Sequence, residues 1–289
     1  MATLANPDAV RIVEVAPRDG LQNHARVFST EAKIAFIDAL SRSGLPVIEA
    51  ASFVNPKAVP LMADAVEVMS GIERVSGVRY LALVPNDKGL DRALACGTDS
   101  IALFASASEA FSQRNINCTI AESLERFAPV LHRAKAEDIW VRGYISMAFV
   151  CPFEGNIPPE TTASLAGAVL RLGCDEVCLA DTIGSADTEM VSSVIDATLG
   201  HVPVGRLALH MHDTNGNAVE NIGIGYQAGI RVFDSAAGGL GGCPFAPGAA
   251  GNLATERLIE YFDQREIPHG VDIEIIRAAT ARLLASPPA

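Results

Sequence analysis

Eight short apolar runs, separated by segments of helical periodicity, constrain the fold of this chain more than any other feature. The runs are near-continuous rather than alternating, which is typical of parallel strands buried on both faces. They occupy residues 11–15, 47–50, 78–84, 100–104, 140–146, 176–180, 207–211 and 231–235. Helical periodicity recurs between them, for example at residues 30–43, 59–69, 120–136, 159–172 and 219–227. Strand followed by helix, eight times, predicts an α/β fold of the closed (β/α)8 type, a TIM barrel.

An open doubly wound sheet is the alternative fold. That fold places a Gly-rich dinucleotide turn directly after the first strand, and this chain has none there. Its glycines crowd instead into a loop after the eighth strand, at residues 238–244. We therefore expect a single TIM-barrel catalytic domain over residues 1–289, with the barrel at about 11–262 and a short C-terminal helical extension at about 270–285.

Charge and composition exclude several classes of partner. The formal net charge is −12 and no Lys/Arg cluster occurs, so a nucleic-acid partner is not expected. No window reaches the roughly 18 apolar residues that a membrane-spanning helix needs, and residues 1–11 lack a basic region followed by an apolar run, so we expect no signal sequence. The six cysteines do not show the spacing of paired-cysteine motifs, so we expect them to be free thiols in a reducing compartment. We expect a soluble cytoplasmic protein without a membrane partner.

Polar residues gather where a barrel places its active site, at the carboxyl ends of the strands. His210 and His212 are two residues apart on a predicted strand, so their side chains share a face. With Asp19 after the first strand and Asn252 after the glycine loop, they form a mixed N/O ligand set. Such a set suits Mg²⁺ or Mn²⁺, with zinc, cobalt and iron left open. The alternative is that the histidines are hydrogen-bonded core residues.

Three further residues are candidates for catalysis. Arg18 is either a surface ion pair with Asp19 or a fixed positive charge that stabilises a developing enolate. Glu49 ends an apolar strand, where burial would raise its pKa and make it an acid or base, unless it only pairs with Arg18. Cys243 is either an inert buried thiol or a proton donor carried by the glycine loop.

Two aspartates allow a purely structural interpretation. Asp181 and Asp213 each precede a Thr and a predicted helix start, so both are candidate helix N-caps. For Asp213 we favour the cap. Asp181 lies after the sixth strand, at the rim of the predicted site, so a site role for it stays open.

At these residues the chain resembles the 3-hydroxy-3-methylglutaryl-CoA lyase family. The most specific likeness lies in the Arg18-Asp19-Gly20-Leu21-Gln22 segment and in the glycine loop with Cys243. His-x-His-Asp-Thr is shared with isopropylmalate and homocitrate synthases. The likeness runs from about residue 13 to about residue 262, and its stretches are residues 13–23, 48–54, 115–118, 142–144, 151–155, 212–214, 239–244 and 251–256.

The resemblance implies a metal-dependent retro-Claisen cleavage of 3-hydroxy-3-methylglutaryl-CoA to acetyl-CoA and acetoacetate. It places the family's metal ligands on Asp19, His210, His212 and Asn252. The group that takes the hydroxyl proton is left open between a site histidine, such as His210, and an Asp.

By the same resemblance, the enolate-stabilising arginine falls on Arg18 and the loop cysteine on Cys243, the acid for the last protonation. Glu49 has a supporting role, and Gln22 and Asp181 lie in the substrate shell. The expected partner is a small-molecule acyl-CoA substrate, and the family likeness implies a homodimer.

The chain departs from the family pattern at two positions. Asn215 stands where the family usually carries Tyr after His-Asp-Thr, and His24 stands where it carries an acidic residue. Asn215 would bear on which 3-hydroxy acid fits, so a related thioester such as citramalyl-CoA is an alternative substrate. A Claisen-type synthase of the isopropylmalate or citramalate kind is a second alternative, although those enzymes carry a long extra C-terminal region. A metal-binding scaffold without turnover would need neither Arg18 nor Cys243.

Overall fold

The strands that build the fold come at the intervals that the sequence predicts. A computed structural model describes residues 6–241 and 251–288. Eight parallel strands close a barrel in the order β1, β10, β9, β8, β5, β4, β3, β2, and a two-stranded antiparallel hairpin, β6–β7, follows β5. The strands are β1 (Arg11–Glu14), β2 (Val47–Ser52), β3 (Arg79–Leu83), β4 (Ser100–Ser106), β5 (Trp140–Ser146), β6 (Val150–Cys151), β7 (Gly155–Asn156), β8 (Glu176–Asp181), β9 (Leu207–Met211) and β10 (Val232–Ser235). The predicted (β/α)8 barrel is confirmed.

Helices surround the barrel and cover the outer faces of its strands. They are α1 (Thr30–Leu40), α2 (Ala65–Gly71), α3 (Asp87–Ala95), α4 (Glu109–Ile116), α5 (Ile120–Ala136), α6 (Pro159–Arg171), α7 (Thr188–Leu199), α8 (Ala218–Gln227), α9 (Thr255–Asp263) and α10 (Ile273–Ala285). Polar caps begin several of them; Thr119 and Glu122 form a reciprocal capping box at the start of α5. Across the described ranges, no helix is long and apolar enough to span a membrane.

The prediction of one helix over residues 59–69 was wrong in its extent. The segment begins with a 3₁₀ turn, Pro60–Met62, and α2 starts only at Ala65. Lys33 of α1 explains the break, because its ammonium group binds both the carbonyl of Leu61 and the carboxylate of Asp64, each at 2.7 Å. The Leu61 carbonyl thus accepts its hydrogen bond from a side chain.

The C-terminal helix α10 packs against α1. The backbone N–H of Asp272, which caps α10, donates to the carbonyl of Ser43 at 2.7 Å. Gly44 lies beside this contact with φ +89°, and a Cβ placed on it would lie 2.1 Å from the carbonyl oxygen of Gly270. The close approach of two backbones thus requires glycine at position 44.

We expect Gly44→Ala to destabilise the protein strongly. Gly77→Ala is a matched control, because Gly77 has φ +88° but nothing within 4 Å of the place that a methyl group would take. The control should show only the strain of a left-handed alanine, about 1 kcal/mol, whereas Gly44→Ala should lose roughly 1–3 kcal/mol more through overpacking. Urea unfolding of both variants measures the difference. Equal losses would show that the contact with Gly270 relaxes freely.

Candidate active site

A cavity of about 810 Å³ opens at the carboxyl ends of the barrel strands. Its inner part carries the polar groups that the sequence predicts for the site, namely Arg18, Asp19, Gln22, His210 and His212. Much of the remaining lining is apolar and includes Val54, Val59, Phe104, Phe111, Ile116 and Phe153. A largely apolar lining with a few converging polar groups is the usual character of a small-molecule site.

Asp19, His210 and His212 form a cluster that could hold a metal ion. One ligand atom from each of the three lies within 4.8 Å of the others. Asp19 comes from a single π-helical turn, Ala16–Gly20, that follows β1, while His210 is on β9 and His212 lies just past it. Both histidines are 7% exposed. The predicted spacing of two residues along a strand therefore does bring both rings to one side.

The environment prepares each member of the cluster for ligation. The Nδ1 of His210 lies 3.1 Å from Asp234 Oδ2, so this bond assigns the proton to Nδ1 and leaves Nε2 for a ligand. Burial lowers the pKa of His212 to about 4, aided by His210, so its ring is neutral at pH 7. Burial opposes ionisation of Asp19, but Arg18 and both histidines hold the pKa of this carboxyl below its usual value.

Asn252 joins the cluster from the segment after the glycine loop. Its side-chain N–H groups donate to Asp19 Oδ2 at 2.9 Å and to the Leu240 carbonyl at 3.2 Å. Within ranges 6–241 and 251–288, Asn252 Oδ1 and His212 Nδ1 are buried without a hydrogen-bond partner. Buried polar atoms without partners are costly, and a cation that accepts their lone pairs would remove the cost. The donor set thus fits a divalent ion.

Arg18 and Glu49 form a buried ion pair beside this cluster. Arg18 Nη2 lies 2.6 Å from Glu49 Oε2, and the side chain of Glu49 is fully buried. Arg18 also pairs with Asp19 and is only 7% exposed, so the surface ion pair considered for it was wrong. Burial raises the pKa of Glu49, although Arg18 opposes the shift. Tyr144 adds a 3.4 Å hydroxyl contact to Glu49.

Of the remaining predicted site residues, some line the cavity and others do not. Gln22 lines the cavity. Asp181 does not, because it is buried and accepts the backbone N–H groups of Ser185 and Ala186 at 3.2 and 3.0 Å. Asn215 is exposed, in the turn after β9, outside the cavity lining. The geometry therefore does not support substrate contact by Asp181 or Asn215, and Cys243 lies outside the described residues.

Neither aspartate considered as a cap occupies an N-cap position. Asp187 caps α7, and Asn217 precedes α8. Asp213 still satisfies the first N–H of α8, since its Oδ1 accepts from Ala218 at 3.2 Å, and its other oxygen pairs with Arg257. The preference for a helix-start role was right in function and wrong in position.

An acidic residue behind the histidines was not predicted from the sequence. Asp234 of β10 bonds His210, and Arg142 of β5 donates to its other oxygen at 2.7 Å, with both side chains fully buried. Asp234 thus fixes the ring orientation of His210, as outer-shell carboxylates of metal sites do. An acidic residue inside an apolar strand was the available signal.

Glu14 was missed as well, and it connects three segments that carry site residues. Its carboxylate accepts the N–H of Ala16 at 2.8 Å, the N–H of Ala237 at 2.9 Å and the hydroxyl of Thr255 at 2.7 Å. These donors belong to the turn with Asp19, the start of the glycine loop and the first residue after the Asn252 segment. Burial raises the pKa of Glu14 to about 7.

We expect Glu14→Gln to change how stability depends on pH. The folded-state pKa of Glu14 is about 7 against an ordinary value of 4.5, so its contribution is fully present below about pH 4.5 and is lost as pH rises through 7. Wild type should therefore lose on the order of 3 kcal/mol across this window that the variant does not lose. Urea unfolding of both proteins at pH 5, 6, 7 and 8 measures this. Parallel stability curves would contradict the assignment.

Comparison with known proteins agrees with the geometry. The HMGL-like family model matches residues 9–283. The chain belongs to the HMGL-like family. A relative from Gallus gallus, "Hydroxymethylglutaryl-CoA lyase, mitochondrial", is 48% identical over 270 residues, 93% of this chain and 91% of that protein.

Two further comparisons place the chain within the HMGL-like family. A Pseudomonas aeruginosa protein, "3-hydroxy-3-isohexenylglutaryl-CoA/hydroxy-methylglutaryl-CoA lyase", is 48% identical over 279 residues, 96% of this chain and 93% of that protein. The crystal structure of the HMG-CoA lyase from Brucella melitensis superimposes with a TM-score of 0.94 at 49% identity, covering 96% of this chain and 98% of that one. The barrel and its mouth are thus those of an HMGL-like enzyme.

Proposed function

We propose that this chain is a divalent-metal-dependent carbon–carbon lyase that cleaves 3-hydroxy-3-methylglutaryl-CoA into acetyl-CoA and acetoacetate. The observation that carries the proposal is the convergence of Asp19, His210 and His212 beside Arg18 at the inner end of the cavity. Close relatives over nearly the whole chain bear the name of this activity.

Asp19, His210, His212 and Asn252 would hold the metal ion, and Mg²⁺ or Mn²⁺ suits their mixed oxygen and nitrogen atoms. When bound, such an ion acts as a Lewis acid that makes a coordinated hydroxyl more acidic and polarises a carbonyl oxygen. Asp234 keeps the His210 ring in the tautomer that presents Nε2 to the cluster.

The reaction is a carbon–carbon bond cleavage that consumes no water. The tertiary hydroxyl loses its proton, the C2–C3 bond breaks, C3 becomes the ketone of acetoacetate, and C2 is left as the enolate of acetyl-CoA. Arg18 would stabilise that negative charge, because its guanidinium is always protonated and is fixed by Glu49 and Asp19. A proton returned to C2, for which we propose Cys243 as donor, completes the balance.

An acetyl-CoA release assay tests the proposal. Purified protein is given 3-hydroxy-3-methylglutaryl-CoA with Mg²⁺, Mn²⁺ or EDTA, in the wild type and in Cys243→Ala. We expect equal amounts of acetyl-CoA and acetoacetate, no release in EDTA, and a large loss in Cys243→Ala. Turnover that is unaffected by EDTA, or an absence of cleavage with every metal, would reject the function.

A 3-hydroxyglutaryl-CoA with a longer alkyl group at C3 is a second candidate substrate, because the apolar wall of the cavity favours such a group. Val54, Val59, Phe104 and Phe111 line it, and the Pseudomonas aeruginosa relative is named for an isohexenyl substrate. The same assay with 3-hydroxy-3-isohexenylglutaryl-CoA and citramalyl-CoA ranks the three thioesters by kcat/KM. Incubation with acetyl-CoA and a 2-oxo acid tests the synthase alternative, for which we expect no condensation.

Three predictions about the molecule as a whole remain proposals. We propose one catalytic domain with α10 as its extension, a homodimer, and a cytoplasmic location. Limited proteolysis, light scattering and fractionation of the source cells test them in turn. The relative from Gallus gallus is named mitochondrial, so fractionation is the decisive measurement for the last.

A further inference from the structure

The outer rim of the cavity carries a guanidinium without a carboxylate partner. Arg114 of α4 is exposed and lines the cavity. In the part of the chain that the structure describes, no carboxylate lies within 4.0 Å of its nitrogens, whereas the two buried arginines, Arg18 and Arg142, are both ion-paired. A free cation at the mouth of a negatively charged protein is a local attraction for an anionic ligand.

An aromatic ring fixes the position of this guanidinium. The centre of the Arg114 guanidinium lies 4.2 Å from the centroid of Phe153, whose side chain lies in the loop of the β6–β7 hairpin and is 40% exposed. Stacking on a ring holds a guanidinium in one plane while leaving its N–H groups available. The two side chains together form a flat, cationic edge of the cavity.

The hairpin itself is anchored to the start of α4. The N–H of Ala110 donates to Glu154 Oε1 at 3.0 Å, and Ser108 Oγ lies 3.0 Å from Cys151 Sγ. These contacts set the distance between α4 and the hairpin before any ligand binds. One of them engages Glu154 Oε1 with a backbone N–H, and among the described residues Glu154 forms no ion pair with Arg114.

Position decides which end of a substrate reaches this edge. Arg18 and the two histidines, at the inner end, are 7% exposed, whereas Arg114 and Phe153 are at the solvent side of the same cavity. An acyl-CoA carries its reactive thioester at one end and its phosphates at the other. If the thioester is at the inner end, the phosphates emerge at the rim.

We propose that Arg114, stacked on Phe153, is the binding site for a phosphate group of the CoA moiety. This inference rests on the proposed function for its ligand, and it adds the element that recognises the non-reacting end. The diphosphate and the 3′-phosphate share the chemistry that the guanidinium binds, a pair of anionic oxygens in reach of planar N–H donors.

Calorimetric titration of the Mg²⁺-loaded protein with CoA, dephospho-CoA and pantetheine tests the proposal without turnover. We expect Arg114→Ala to weaken CoA binding about 10-fold, as loss of one charge-assisted hydrogen-bonded contact does, and to leave pantetheine binding unchanged. Loss of affinity for CoA but not dephospho-CoA assigns the contact to the 3′-phosphate, and loss for both assigns it to the diphosphate. Phe153→Leu should weaken CoA binding less than Arg114→Ala.

Arg206→Ala is the matched control. Arg206 is also exposed and also has no carboxylate within 4.0 Å among the described residues, but it precedes β9 at the opposite end of the barrel. Unchanged CoA affinity in Arg114→Ala, an equal loss in Arg206→Ala, or a parallel loss for pantetheine would each overturn the proposal. If CoA binds through Arg114 but no acyl-CoA undergoes carbon–carbon cleavage, the proposed function fails and this site stands.

Discussion

His210→Ala should abolish carbon–carbon bond cleavage and metal binding together. The variant removes one of three ligand atoms that lie within 4.8 Å of one another. We expect kcat/KM to fall by at least ~1,000-fold, since substitution of outer-shell partners alone typically costs about 10- to 100-fold. Manganese binding, followed by electron paramagnetic resonance of the free ion, should weaken in parallel. This second measurement does not depend on the substrate chosen for the assay.

Two further variants make the His210 experiment specific. His132→Ala is the control for histidine loss, because His132 is exposed on α5 and outside the cavity lining. Asp234→Asn keeps His210 but weakens the bond that fixes its ring, so its manganese affinity should lie between those of wild type and His210→Ala. Wild-type manganese affinity in His210→Ala would exclude the cluster as the metal site, whatever the activity.

Replacing Arg18 should cost both activity and stability. We expect Arg18→Met to lower kcat by about 10²–10³, the usual loss when a fixed group that stabilises an oxyanion is removed. The variant also leaves the fully buried Glu49 without its cation, which typically destabilises a protein by about 3–5 kcal/mol. Single-turnover kinetics and urea unfolding measure the two losses separately.

A double variant separates these two roles of Arg18. Arg18→Met with Glu49→Gln removes the unpaired buried charge, so stability should recover toward wild type. Activity should not recover, because the positive charge beside the cluster is still absent. A double variant that regained both would show that Arg18 acts only as the partner of Glu49. Glu49→Gln alone shows how much of the activity depends on the carboxylate.

The eight strands could be predicted because burial on both faces leaves a simple signal. Each strand is an apolar run, and the barrel rule then placed Asp19, His210 and His212 at one mouth although they are almost 200 residues apart in sequence. The break near residue 62 could not be read, since it depends on Lys33 reaching across from α1. Local patterns contain no information about such a partner.

The missed site residues share this cause. Glu14 and Asp234 are single acidic residues within apolar strands. Their structural roles depend on partners distant in sequence, Thr255 for Glu14 and Arg142 for Asp234. Sequence alone shows that each is unusual, yet it does not show what each contacts. The family resemblance placed Asp181 and Asn215 near the substrate, and neither lines the cavity, since Asp181 accepts backbone N–H groups and Asn215 is exposed.

The closure of the barrel by β1 and β10 has a consequence for biosynthesis. Asp19 leaves the ribosome almost 200 residues before His210, and Asn252 emerges later still. A nascent chain that still lacks the later residues therefore cannot assemble the ligand cluster. During synthesis it has no complete site that could bind the most abundant cation. Metal binding at this cluster therefore follows translation, and it requires that β1 has paired with β10 to close the barrel.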